Sequence, residues 1–253
     1  MFSKAIVRTP ARSFINGLRS ADSGSPDYEK ALDQHAAYVH ALENCGLDVT
    51  VLDADEQFPD STFIEDTALL TRSAAVIASP GADSRKGEVH EIREALTDFY
   101  SNIESIEPPG TVDGGDVMMV GSYFYIGLSK RTNADGANLL LSILNRYGMT
   151  GSTVPLKSFL HLKSGVSYIE NNNLVITGEF INAPEFEHFN HIAVDEAEGY
   201  AANCVWINGT VLVASGYPRI RAKIESAGYD TIALDVSEFE KLDGGLSCLS
   251  LRF

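Results

Sequence analysis

Apolar residues recur along this chain at two periods, and the alternation of those periods itself repeats. Ala5-Ile-Val-Arg8 is a short apolar run that predicts a strand, and the polar, Gly-containing stretch 13–25 has no period and predicts a loop. From Pro26 onward Tyr28, Ala31, Leu32, His35, Tyr38, Val39 and Leu42 recur at three and four residues. That spacing predicts an amphipathic helix led by Asp27 and Glu29 and stopped by Gly46. Leu47-Asp-Val-Thr-Val-Leu52 then alternates at period two, as a strand does. The succession returns with a strand over 74–79, a helix over 88–100 carried by Val89, Ile92, Leu96 and Phe99, and a strand over 103–106. It returns again as a hairpin turning at Gly121-Ser122, a helix over 133–147 stopped by Gly148, and a strand near Val154. Asn171-Asn-Asn173 turns one strand into Leu174-Val-Ile176. A hairpin with Asn208-Gly209 at its tip precedes a helix over 220–227 and a strand over 231–234.

These units succeed one another at intervals of roughly fifty residues, the range in which internal repeats are sought. Two copies retain identities: Leu42-Glu-Asn-Cys-Gly-Leu-Asp-Val-Thr-Val-Leu-Asp53 aligns with Ile224-Glu-Ser-Ala-Gly-Tyr-Asp-Thr-Ile-Ala-Leu-Asp235. Asp-Gly-Gly also occurs twice, at 113–115 and 243–245. Equivalent loops of several similar units are therefore expected to meet at one place.

Composition narrows the classes. At 253 residues and 44% apolar content, the chain can bury one sizeable core, so a single domain over 1–253 is expected. No apolar segment approaches the roughly eighteen residues needed to cross a bilayer, and the amino terminus reads as a strand rather than a signal. Cys45, Cys204 and Cys248 are odd in number and far apart, which argues against a disulfide framework and for a soluble, cytoplasmic protein. A formal net charge of −16 disfavours nucleic acid and anionic membrane as partners. The same charge would draw a cationic small molecule into an acidic cleft, although acidity alone is more often a matter of solubility.

Candidate chemistry lies at the turns. The chain closes on Asp243-Gly-Gly-Leu-Ser-Cys-Leu-Ser-Leu-Arg-Phe253, which sets Cys248 just after a Gly-Gly turn. The ordinary fate of such a thiol is burial in a last strand; the functional reading is a nucleophile presented by a turn. Phe58-Pro-Asp-Ser-Thr-Phe-Ile-Glu-Asp66 interleaves Asp60, Glu65 and Asp66 with Phe63. As a surface turn the cluster would face water; as a site it would be an acidic, aromatic-walled rim for a planar cation. His40 and His90 read as solvated, His35 as packed, Cys45 and Cys204 as structural, and His188 and His191 as members of a polar loop. His161 heads a loop-to-strand entry. If these entries converge, Cys248 is a nucleophile, His161 a proton carrier and Asp113 an orienting carboxylate. Arg85 and Arg131 would then take a carboxylate, so the ligand resembles an arginine-like amino acid.

At these residues the chain closely resembles the dimethylarginine dimethylaminohydrolases, guanidine-modifying enzymes of the pentein superfamily. The likeness runs through Val7-Arg-Thr-Pro-Ala-Arg-Ser13, the 58–66 segment, Pro109-Gly-Thr-Val-Asp-Gly-Gly-Asp-Val-Met-Met-Val-Gly121, Arg131-Thr-Asn133, Leu160-His-Leu-Lys163, Tyr200-Ala-Ala-Asn-Cys204 and Leu251-Arg-Phe253. It implies an α/β five-bladed propeller of ββαβ repeats with pseudo-fivefold symmetry. It implies Cys248, His161 and Asp113 as the catalytic residues, the last a position where the family carries Glu or Asp. It further implies Asp66 at the guanidinium, Leu18, Asp60, Arg85 and Arg131 at the α-amino and carboxylate groups, and Phe63 and Glu65 lining the pocket. The implied reaction is hydrolysis of Nω-methylated arginine to citrulline and an alkylamine through a cysteine-bound thiouronium, with no cofactor and no metal. An arginine deiminase, or a pentein that only binds, are the alternatives. A homodimer is left open.

Overall fold

Each predicted strand–helix–strand succession is a separate three-stranded sheet in the computed structural model, which describes residues 1–20 and 23–253. The anticipated loop over 13–25 includes Ala21 and Asp22, which lie outside the described residues; its start, Arg12–Asn16, is a 3-10 turn. The chain divides into two compact units, residues 1–64 with 165–253, and residues 65–164.

The first unit begins with β1 (Lys4–Arg8), α1 (Tyr28–Asn44) and β2 (Asp48–Leu52). Asp27 caps α1 by accepting the Lys30 amide at 3.1 Å, and the helix buries Ala31, His35, Tyr38 and Leu42 on one face. Full burial of a side chain such as Leu42 stabilises by about 2 kcal/mol. Gly46 leaves the helix at φ +88°, and Gly228 does the same at +94° in the aligned copy, so the retained glycines mark one repeated left-handed helix exit.

The second unit holds two complete ββαβ repeats. The first is β3 (Ala68–Leu70), β4 (Ala75–Ile77), α2 (Val89–Leu96) and β5 (Ile103–Ser105); the second is β6 (Val117–Val120), β7 (Tyr123–Leu128), α3 (Ala134–Arg146) and β8 (Thr150–Pro155). In each, an antiparallel hairpin is followed by a helix and a parallel third strand. The expected helix over 88–100 stops at Leu96, and the Phe99 and Tyr100 amides bond the Leu96 carbonyl in the turn that follows. This unit's core gathers Val76, Val117, Phe124, Ile126, Leu140 and Leu144.

The first unit resumes with β9 (Val166–Tyr168), β10 (Asn173–Ile176) and β11 (Asn190–Ala193), where two 3-10 turns replace the helix between the parallel strands. His191 is therefore a β11 residue rather than part of a loop, and its Nε2 lies 2.8 Å from the Phe186 carbonyl. Next come β12 (Val205–Ile207), β13 (Thr210–Ala214), α4 (Pro218–Ser226) and β14 (Asp230–Leu234), with Asn208 and Gly209 both at positive φ in the hairpin turn. After α5 (Ser237–Glu240), the chain ends in β15 (Leu251–Arg252), antiparallel to β1. The first sheet thus takes its opening strand from the carboxyl terminus. The Tyr38 hydroxyl, 2.7 Å from the Ser250 hydroxyl, ties that segment to α1.

One regularity positions the chemistry. The first strand of every sheet, β3, β6, β9, β12 and β15, is entered through a 3-10 turn: Ile64–Thr67, Gly114–Asp116, Leu162–Ser164, Glu196–Ala202 and Leu246–Leu249. Glu65, Asp66, Asp113, His161 and Cys248 all lie in or beside these entries. Cys248 consequently sits in a 3-10 turn, not in a final strand, and the strand after it is only two residues long.

Candidate active site

Within residues 65–164, His161 is the centre of a buried acidic group. Its Nε2 lies 3.1 Å from Asp113 Oδ2, while Asp113 Oδ1 accepts the Gly81 amide at 2.7 Å. One ligand-type atom from each of Asp66, Asp113 and His161 falls within a 4.8 Å group. A metal ion would need such spacing, but here Asp66 already accepts the Gly115 amide at 2.8 Å and an Arg85 N–H at 2.6 Å. Both oxygens of Asp66 are thus already hydrogen-bonded. Burial alone would push the imidazole pKa down, but Asp66, the hydrogen bond His161 donates to Asp113 and the charge of Asp116 together raise it to about 9. Asp66 moves the other way: burial opposes its ionisation, yet His161, Arg85 and the Gly115 amide bring it to about 2. The carboxylates around His161 thus favour its protonated form.

The glycines of the first Asp-Gly-Gly make this approach possible. A Cβ on Gly114 would fall 2.0 Å from the Glu65 carbonyl oxygen, and one on Gly115 would fall 2.8 Å from His161 Nδ1 and 3.0 Å from Asp66 Oδ1. Arg85 is buried and held by Glu88 through its Nε at 3.0 Å and Nη2 at 2.8 Å, and by Asp66 through Nη1. Glu65 is paired with Lys163 at 2.6 Å. Arg131 lies in a turn whose backbone packs on Gly81, where a Cβ would meet the Arg131 carbonyl oxygen at 2.3 Å.

The first unit carries the other expected residues. Asp60 is buried and accepts the Leu18 amide at 2.9 Å, with Leu18 itself exposed. Phe63 is packed edge-on against Phe239, with centroids 6.2 Å apart, and tilted against Phe14 at 6.0 Å. A Cβ on Gly244 would meet the Phe63 ring at 2.1 Å, so the second Asp-Gly-Gly also exists for close approach. The two turns are not superposable in detail, because Asp113 has φ −99° whereas Asp243 is left-handed at +59°. Asp243 bonds Ser20, not a histidine.

Cys248 is half-buried, and its sulfur accepts the Gly245 amide at 3.4 Å. Asn203 clamps the same turn: its Oδ1 accepts the Ser247 amide at 2.9 Å and its Nδ2 donates to the Ser247 hydroxyl at 3.0 Å. The Tyr200 hydroxyl donates to the Gly244 carbonyl at 2.8 Å. Burial pushes the Cys204 thiol up to about 12, in keeping with the structural role expected of it.

The surface-turn reading of the acidic cluster is excluded, since Asp60, Glu65 and Asp66 are each at most 5% exposed. Sequence reasoning did not single out Glu88, Asp116, Lys163 or Asn203. Two of them had a signal: Glu88 stands three residues after Arg85, and Asp116 completes an Asp-Gly-Gly-Asp motif. Among the described residues no helix is long and apolar enough to cross a membrane.

A sequence model for the eukaryotic N,N-dimethylarginine dimethylhydrolase family matches residues 13–250. The chain is 54% identical to the N(G),N(G)-dimethylarginine dimethylaminohydrolase of Pseudomonas aeruginosa over the full length of both. It is 34% identical to the enzyme of that name from Streptomyces coelicolor, over 98% of this chain and 96% of the relative. The crystal structure of a cysteine-to-serine variant of the Pseudomonas protein with citrulline matches at a TM-score of 0.99 and 53% identity, covering all of both chains. A histidine-to-glycine variant of a dimethylarginine dimethylaminohydrolase, as an adduct with S-methyl-L-thiocitrulline, matches equally well. The N-terminal domain of a cyanobacterial arginine dihydrolase, at 17% identity and a TM-score of 0.88, shares the fold alone. The α/β pentein fold class expected from the sequence is therefore the one observed, in five three-stranded sheets. By sequence over its whole length and by fold, this chain belongs to the dimethylarginine dimethylaminohydrolase family.

Proposed function

We propose that this protein hydrolyses Nω-methylated L-arginine to L-citrulline and dimethylamine or methylamine, with Cys248, His161 and Asp113 as its catalytic residues. The observation that carries the reading is His161, buried with Asp66 and 3.1 Å from Asp113, in a chain that shares 54% of its residues with a named dimethylarginine dimethylaminohydrolase. The relatives crystallised with citrulline and with a thiocitrulline adduct are variants at a cysteine and at a histidine, the residue types assigned here.

The Cys248 thiolate adds to the guanidinium carbon, forming a C–S bond. His161 gives its proton to the alkylated nitrogen, the C–N bond breaks, and the neutral amine leaves a thiouronium on the enzyme. His161, now neutral, takes a proton from water as the oxygen attacks the same carbon. Collapse breaks the C–S bond and returns the thiolate, and the remaining hydroxyl gives its proton to solvent as citrulline forms. Asp113 orients the imidazole, and such positioned proton transfer contributes about 10² to 10⁴ in rate. Asp66 is assigned to the guanidinium, Glu65 and Phe63 to the pocket wall, and Leu18, Asp60, Arg85 and Arg131 to the α-amino and carboxylate groups. The reading takes residues 1–253 as one catalytic domain that needs no cofactor. It places the enzyme in the cytoplasm, where thiols stay reduced, and leaves monomer or homodimer to sedimentation.

The test is product formation from asymmetric dimethylarginine, monomethylarginine and arginine, followed as citrulline and free amine by mass spectrometry. Citrulline from the methylated substrates in preference to arginine supports the reading. Turnover of arginine alone would make the protein a deiminase, and no citrulline from any of the three would refute the enzymatic reading.

A further inference from the structure

We infer that Asp116 is a positioning residue, the buried carboxylate that holds Asp113, His161 and the Arg131 turn in one geometry. The inference rests on the reading of His161 and Asp113 as the proton-transfer pair. Asp116 has 0% exposure, and a buried carboxylate persists only when its oxygens are hydrogen-bonded. Its Oδ1 accepts the Leu162 amide at 3.0 Å, its Oδ2 accepts the Ser129 hydroxyl at 2.6 Å, and the Thr132 hydroxyl donates to it as well. The fit is close, since a Cβ on Gly127 would lie 2.9 Å from Oδ1.

Each of those donors adjoins a residue with an assigned role. The Leu162 amide belongs to the peptide bond that follows His161, so holding it holds the backbone from which the imidazole projects. The Thr132 hydroxyl accepts the Asp113 amide at 3.1 Å, which makes Thr132 a relay between two carboxylate residues. The Ser129 hydroxyl accepts the amides of Arg131 at 2.9 Å and Thr132 at 3.1 Å, closing the turn that presents Arg131. A single side chain thus reaches three parts of the site, with both of its oxygens engaged by Leu162 and Ser129. Rigid support of this kind is what keeps a catalytic pair within a fraction of an ångström of its working geometry. Asp116 also acts through charge, as one of the three carboxylates, with Asp66 and Asp113, that favour the His161 imidazolium.

A purely structural carboxylate and a positioning one differ in what they do to titration. The experiment compares wild type, Asp116→Asn and Thr132→Val for kcat, KM and pH profile on asymmetric dimethylarginine, with circular dichroism as the folding check. Asp116→Asn is expected to lower kcat about tenfold or more and to move the His161 limb of the profile down by about half a unit or more. Thr132→Val, which keeps the carboxylate and deletes the relay, is expected to lower kcat at unchanged KM. A folded Asp116→Asn with wild-type kcat and an unmoved limb overturns the inference. If Asp116→Asn does not fold, Thr132→Val decides: reduced kcat at unchanged KM supports the inference, and wild-type kcat overturns it. Failure of the underlying reading is separate, because it shows as no citrulline from the wild type.

Discussion

His161 Nε2 and Asp113 Oδ2 are 3.1 Å apart, and Asp113 is fully buried behind the imidazole. The contact stores a pH dependence with a definite sign. The folded pKa of His161, about 9, lies above its ordinary 6.5, so folding favours the protonated form. The stability so contributed is complete below 6.5 and is lost as pH rises through about 9. Asp66 has the opposite sign: at about 2 against 3.8, it contributes above 3.8 and loses that contribution as pH falls through about 2. Urea unfolding measured across pH should show stability declining from 6.5 to 9, with His161→Gln flattening that decline. An unchanged slope in the variant would contradict the assignment.

The two glycines after Asp113 should fail differently when given a methyl group. At Gly114 the new Cβ meets a backbone oxygen at 2.0 Å, which cannot move without unfolding the turn, so Gly114→Ala should lower the melting temperature clearly. At Gly115 it meets side-chain atoms of His161 and Asp66 at 2.8 and 3.0 Å. Gly115→Ala should therefore stay folded while kcat drops by about 10²-fold through displacement of the imidazole. Equal activity losses at equal stability would count against this division.

Arg85 and Glu88 form a buried bidentate pair, and removing one partner leaves the other charge uncompensated. Glu88→Ala should destabilise the fold by about 3 kcal/mol in denaturant titration. A loss below about 0.5 kcal/mol, the range of an ordinary surface change, would mean that Asp66 alone satisfies the guanidinium.

The Asn203 clamp on Ser247 makes a prediction about the thiol next to it. Asn203→Ala removes two hydrogen bonds, each worth about 1 kcal/mol, and should loosen the 246–249 turn. Iodoacetamide should label Cys248 ahead of Cys204 in the wild type, since burial pushes Cys204 up to about 12. In Asn203→Ala, the rate at Cys248 should change and citrulline production should fall, with labelling at Cys204 still slow. Labelling of Cys204 first would refute the thiol assignment.

Much of this protein is written in local pattern. The 3.6-residue stripe of α1, its Asp27 cap, the Gly46 and Gly228 exits and the Asn208-Gly209 turn depend on backbone sterics and near-neighbour contacts, which a sequence displays directly. The helix missing between β10 and β11 has no such local mark, because two short 3-10 turns hide among polar residues. Candidate residues for chemistry were legible by type: a cysteine after glycines, an isolated histidine, acidic residues beside aromatics. Tertiary structure alone decided their states. It buried Asp66 and Asp113 against His161, which raises the pKa of an otherwise ordinary imidazole. It also set Asp116 behind them and put Cys248 in a 3-10 turn under Asn203. Protonation and orientation depend on which distant residues share a desolvated space, and that is a property of packing rather than of spacing along the chain.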